Sequence, residues 1–350
     1  MGTLEGRLKL NIAFFVSVVA LILLMLIAIM LGAADIGLKE VVDTVFSKIP
    51  FVNEWFSGDS VSKGAALILW KLRIPRVVLA AIIGAGLSVV GAVFQGVFKN
   101  PMADPFVLGV SSGGALGATI AIVLGSQLII SSLFVPVFAF VGALITIAII
   151  FIITRLSRTQ DMSTLLLAGV AMNFFSTACV SMLMFMNHDE INKIILWNMG
   201  SLAGASWQQV VLCLPFVLIG SIVFLIFRRE LNAFLLGDEH AQSFGIPVKL
   251  VRKILIIVSA LIIGVIVSMS GIIGFVGLII PHITRLIVGS NYKVLLPFSI
   301  VYGAAFLVFC DTVARLMVLP SEMPVGSITA VFGAPFFVFL LVKNRRGRQS

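Results

Sequence analysis

The sequence predicts an all-α, polytopic membrane protein with about ten transmembrane helices and both termini cytoplasmic. Three observations point there. Of 350 residues, 60% are hydrophobic and only 11% charged, whereas soluble domains carry about 25% charged residues. Apolar runs long enough to cross a hydrocarbon core of about 30 Å recur along the chain between polar or Gly/Pro punctuation. Lysines and arginines gather on alternate connections between those runs.

Taken in order, the spans are expected at 12–32, 77–98, 109–125, 131–153, 162–186, 209–227, 252–269, 272–288, 294–312 and 327–342. The first follows Arg7 and Lys9 and precedes Gly32, Ala33 and Ala34, as a cleaved signal would. Its length of about 20 residues exceeds the 7–15 of a signal core, so it reads as a span. The seventh and eighth form one run broken only around Ser268, Ser270 and Gly271. One straight helix of about 35 residues would measure about 52 Å, so the run should fold back there.

Ten spans place both ends on one side. The ends and even-numbered connections hold Arg7, Lys9, Lys99, Arg155, Arg158, Arg228, Arg229, Lys249, Arg252, Lys253, Arg285, Lys293, Lys343, Arg345, Arg346 and Arg348, most of the 24 basic residues. That side is therefore cytoplasmic. Trp55, Trp70, Trp197 and Trp207 all fall on the opposite face, where an interfacial belt or a docking surface would use them. The net charge of +9 follows from this orientation. No basic stripe interleaves with aromatics, which argues against nucleic acid as a partner.

Residues 236–246, LGDEHAQSFGI, interrupt this apolar pattern between spans six and seven. No bilayer would hold Gly237, Asp238, Glu239, His240, Ala241, Gln242, Ser243 and Gly245. The helix-forming middle between two glycines predicts a short cytoplasmic helix, a lever through which a soluble motor moves the spans.

A motor within the chain is not evident. There is no G-x-x-x-x-G-K-[ST] phosphate loop, and no charged residue sits at the centre of a predicted span, as a proton-coupled secondary transporter would require. Cys179, Cys213 and Cys310 lack metal-ligand spacing, so no metal or cofactor is expected on this chain. Ser111 satisfies G-x-S-x-G with His282 as a conceivable base, but an intramembrane serine hydrolase would need the two within hydrogen-bond reach. No strand precedes the serine as in a hydrolase elbow. No catalytic residue is assigned.

Gln95, Asn173, Ser176 and Thr177 are polar at membrane depth and read either as helix-to-helix hydrogen bonds or as lining of a water-filled path. Gly84-Ala85-Gly86 and Ser111-Ser112-Gly113-Gly114-Ala115 permit close backbone approach. On the outer face, Arg73 and Arg76 precede span two and Arg315 ends span nine. Guanidinium groups pair with carboxylates through two donors, so these three could receive acidic residues of a docking protein, or pair with Glu322 instead.

Long ordered motifs add a resemblance. LRIPR at 72–76, FQGVFKNPMADPFVLGVSSGGALG at 94–117, LLLAGVA at 165–171 and WNMGSL at 197–202 are followed by LGDEHAQSFGI and GIIGFVGLIIPHITR at 271–285. LLPFS at 295–299, DTVAR at 311–315 and EMPVGSITAVFGAPFF at 322–337 complete the set. From about 64 to 342 the chain resembles the FecCD-like permease subunits of ATP-binding-cassette importers for iron-siderophores, haem and cobalamin.

That resemblance implies a single transmembrane permease domain over 1–350, with 236–246 as its coupling segment, in the cytoplasmic membrane of a bacterium or archaeon. Implied partners are a second permease subunit, identical or related, two cytoplasmic ATPases that use ATP and magnesium, and an extracytoplasmic binding protein received at Arg73, Arg76 and Arg315. Gln95 would line the path. Asn100 and Met102, with Met162 and Ser163, would form the cytoplasmic gate. Methionine at 102 replaces the commoner leucine, a volume-conserving exchange. The resemblance does not choose among the chelates; an iron-siderophore is the commonest.

Overall fold

The computed structural model describes residues 4–32, 37, 40–41, 43–44, 63–125, 133–157, 162–318 and 321–346. Trp55, Arg158 and Arg348 lie outside them. Among the described residues every regular element is helical. In chain order these are α1 (Leu4–Met30), α2 (Lys63–Ile68), α3 (Ile74–Val97), α4 (Val110–Gly125), α5 (Phe134–Leu156), α6 (Met162–Met186) and α7 (Ile191–Asn198). There follow α8 (Trp207–Ile226), α9 (Arg228–Leu236), α10 (Asp238–Ser243), α11 (Val248–Ser270), α12 (Val276–Val288), α13 (Tyr292–Leu316) and α14 (Val325–Arg346).

Among the described residues, seven helical stretches are long and apolar enough to cross a membrane: Leu8–Met30, Gly64–Val97, Phe134–Leu156, Met162–Met186, Trp207–Ile226, Val248–Ser270 and Tyr292–Leu316. The chain is thus a multi-pass membrane protein. The expected third, eighth and tenth spans are shorter apolar helices, Val110–Gly125, Val276–Val288 and Val325–Val338. At 1.5 Å per residue, the 16 residues of α4 rise only about 24 Å.

The second span begins earlier than its apolar pattern suggests. Helix runs continuously from α2 through a π-helical turn at Leu69–Arg73 into α3. Pro75 has no N–H for the preceding turn, and the register adjusts there, with the Ile74 N–H donating to Leu69 O five residues back. The expected reversal after Ser270 is present: Gly271 has φ +68° and Phe275 φ +69°, and α12 starts anew.

α3 is the centre of the bundle. Of its apolar stretch 89% is buried, against 11% for α1; it packs on α13, α12, α8 and α11. Glycine makes these approaches possible. A Cβ on Gly84 would lie 2.2 Å from Gly303 O of α13, and one on Gly91 would lie 1.8 Å from Gly277 O of α12, so the backbones touch where any side chain would part them. A second group, α4 with α5 and α6, joins this centre through α11.

Candidate functional site

Three places in this fold gather the polar residues singled out in the sequence. The first is α10. Gly237 at φ +115° turns the chain into it. At its other end Gly245 adopts φ +78°, with Gly245 N–H donating to Gln242 O (2.8 Å) and Ile246 N–H to Ala241 O (3.1 Å). This is a Schellman ending, which requires a left-handed residue. Ala241 is buried, whereas Glu239, His240, Gln242 and Ser243 are exposed.

Asp238 fastens the short helix to two other elements. Arg252 of α11 donates from both terminal nitrogens to its two carboxylate oxygens, and Lys99 forms a further ion pair with it. Partial burial raises the Asp238 pKa, but the Arg252 and Lys99 contacts outweigh it and hold the carboxyl below the usual carboxylate range.

Lys99 belongs to the turn that carries Asn100 and Met102. There too the helix ends in a Schellman arrangement, Asn100 N–H to Gln95 O (3.1 Å) and Lys99 N–H to Gly96 O (3.2 Å), with Lys99 itself at φ +50°. Asn100 Oδ1 accepts from the Met102 N–H (2.9 Å). Two residues on, burial pushes the Asp104 carboxyl up, against the Phe106 N–H that its Oδ1 accepts. Met162 and Ser163 open α6.

Sequence reasoning found α10 but not its mounting. α9 precedes it as a separate amphipathic helix, with Leu231 and Phe234 buried, a pattern hidden by the neighbouring span. Asn232 of α9 accepts from the Tyr292 N–H, and the Tyr292 hydroxyl donates to Ala92 O of α3. Leu236 and Phe244 remain 62% and 67% exposed beside α10, forming an apolar rim around its polar face.

The second place is the arginine cluster. Arg76 donates from Nε to both oxygens of Asp311 (3.0 and 3.1 Å), from Nη2 to Oδ1 (2.9 Å), and from Nη1 to Glu322 Oε2 (2.7 Å). The Arg315 Nε lies 3.2 Å from Asp311 Oδ2. The remaining donors cap α1. Arg73 Nη1 reaches Ile29 O and Met30 O, while Arg315 reaches Leu31 O and Ala28 O. Four consecutive carbonyls at a helix end, which have no partner within the helix, are thereby satisfied. All three arginines are 7% exposed. Arg76 does pair with Glu322, whose side chain is 39% exposed.

The third place is a half-open cavity of about 490 Å³ between α4, α6 and α7. Asn173 and Thr177 line it, with Ser111. Ser111 Oγ is buried and, among the described residues, has no hydrogen-bond partner, so no base reaches it as a hydrolase would require. Gln95 lies elsewhere, its amide donating to Leu278 O of α12 (3.0 Å). It ties two helices together.

With these sites in view, comparison with known proteins gives one answer. The chain is 45% identical over 281 residues to the cobalamin import system permease of Halobacterium salinarum, covering 80% of this chain and 75% of that one. It is 36% identical over 333 residues to the hemin transport system permease of Yersinia pestis, covering 94% and 96%. A solved inward-facing structure of a transporter of the metal-chelate ABC type superposes with TM-score 0.82 at 28% identity, covering 95% of this chain and 99% of that one. The model of the FecCD transport family matches residues 20–343, and the chain belongs to that family.

Proposed function

We propose that this chain is the permease subunit of an ATP-binding-cassette importer that carries a metal chelate across the cytoplasmic membrane of a bacterium or archaeon. The cargo class is an iron-siderophore, haem or cobalamin. Ten membrane crossings, counting the three shorter apolar helices, keep both termini cytoplasmic. The whole chain acts as one permease domain that pairs with a second permease, a homodimer in the simplest case. ATP and magnesium belong to two soluble ATPases.

The observation that carries the mechanism is the double tie of Asp238. α10 is exposed on one side and fastened on the other to the 98–104 turn and to α11. A push on α10 therefore reaches both the turn bearing Asn100 and Met102 and the helix that borders the α4–α6 group. A packed bundle answers such a push by moving between discrete arrangements. On the opposite face, a binding protein's carboxylates would exchange with Glu322 at Arg76.

The test is reconstitution. The complex purified with its ATPases and binding protein should accumulate chelate in vesicles only with ATP, and this chain alone should accumulate none. Accumulation by the isolated chain, or uptake driven by a proton gradient without ATP, would overturn the proposal.

A further inference from the structure

We infer that the cavity between α4, α6 and α7 receives an electrically neutral chelate with a rim of amides, carbonyls or hydroxyls, and that Ser111, Asn173 and Thr177 are the side chains that meet that rim. The inference rests on the transport reading above and narrows its cargo.

The polar groups come first. Asn173, Thr177 and Ser181 stand four residues apart on α6, so they share one face, and all three are exposed along the cavity. A hydrogen-bonding stripe on a membrane helix does not face lipid, where each unmet group costs several kcal/mol. Some groups around the cavity are already spent. Ser181 donates to Thr177 O (3.0 Å), Ser112 to Gly109 O (2.9 Å), and the Asn198 amide to Ile194 O (2.9 Å). Ser111 is not: it is 4% exposed, lines the cavity, and its hydroxyl lacks a partner. A buried hydroxyl left unmet is costly, and a ligand atom in the cavity would meet it.

Charge decides the class. Among the described residues, no Asp, Glu, Lys, Arg or His lines the cavity. A carboxylate or catecholate rim entering it would leave water without a cationic partner, which is expensive at low dielectric. Amide and hydroxyl rims lose water too, but find donors and acceptors of their own kind in Asn173, Thr177 and Ser111. At about 490 Å³ the half-open cavity takes in one side of such a chelate rather than the whole molecule, and Met184 and Met199 supply adaptable apolar contact. Two chelate types share this neutral chemistry, an amide-bearing corrinoid and an uncharged ferric trihydroxamate.

Equilibrium titration of the full chain in lipid nanodiscs, corrected against empty discs, tests this with four probes: cyanocobalamin, a neutral ferric trihydroxamate, haemin and a trianionic ferric tris-catecholate. At least one neutral probe should bind tenfold or more tighter than either anionic one, and which neutral probe binds identifies the source. Asn173→Leu with Thr177→Val should weaken that binding at least tenfold, while Asn173→Gln, which keeps the amide, stays within about threefold. Asn173→Lys should turn the preference toward haemin. Equal or tighter binding of an anionic probe by the unaltered chain overturns the inference, and so does the absence of binding by both neutral probes. Those outcomes need no variant to fold. ATP-driven uptake is a separate readout, so transport can hold where this inference fails.

Discussion

Arg76 and Asp311, 235 residues apart in sequence, are joined by three hydrogen bonds of 2.9–3.1 Å at the end of α3 and α13, two helices that pack closely on each other. Asp311 is 0% exposed. Removing only the acid leaves two buried guanidinium groups without it. Asp311→Asn should therefore destabilise the chain by about 3–5 kcal/mol, read as a lower melting temperature in detergent. Asp311→Leu combined with Arg76→Met should recover part of that loss, because neither charge is then left unpaired across this contact.

Glu322 is the partner of Arg76 that solvent reaches. Glu322→Gln should loosen the hold on one guanidinium edge at modest cost in stability, since Asp311 still pairs with the buried Arg76. If a binding protein docks through carboxylates, its affinity for the variant should rise several-fold in surface-plasmon measurements at low salt. Unchanged affinity would mean that docking does not use Arg76.

Lys99 separates fold from transmission. Its φ of +50° favours glycine, while its ammonium group holds Asp238. Lys99→Gly should leave the melting temperature unchanged or slightly higher, yet lower chelate uptake per ATP hydrolysed several-fold in the reconstituted complex. Preserved coupling would remove the 98–104 turn from the path of motion.

Two carboxyls should respond oppositely to pH. The native Asp238 pKa lies below its unfolded value of about 3.9, so its contribution is complete above that value and is lost as pH falls through the native one. The melting-temperature gap between the unaltered chain and Asp238→Asn should close there. Asp104 is raised by burial despite the Phe106 N–H, so its ionisation destabilises the chain as pH climbs from about 3.9 through the native value. Asp104→Asn should raise the melting temperature at neutral pH and change nothing below that window.

Much of this arrangement was legible in the residues. α10 between Gly237 and Gly245, the reversal at Gly271 and the close approach at Gly84 each rest on local chemistry: polar side chains excluded from lipid, a helix too long for the bilayer, a missing Cβ. The extension of the second span was not legible, because Lys71, Arg73 and Pro75 look like an ending and only the π turn carries helix through them. Gln95 and Asn173 look alike in sequence as polar groups at depth. The first meets Leu278 O and the second a cavity, a difference set by which helix lies opposite. The burial of Arg73 and Arg315 depends on where α1 ends, and no spacing within either motif reports that.

The seal on α1 also bears on how the protein is made. α1 is made before the residues that cap it, so its final carbonyls wait for Arg73 and, 284 residues beyond Leu31, for Arg315. The end of α1 is therefore sealed only once α13 has been made and packed beside it. A product truncated before α13 would leave the carbonyls of Ala28 and Leu31 without the Arg315 donors that meet them here.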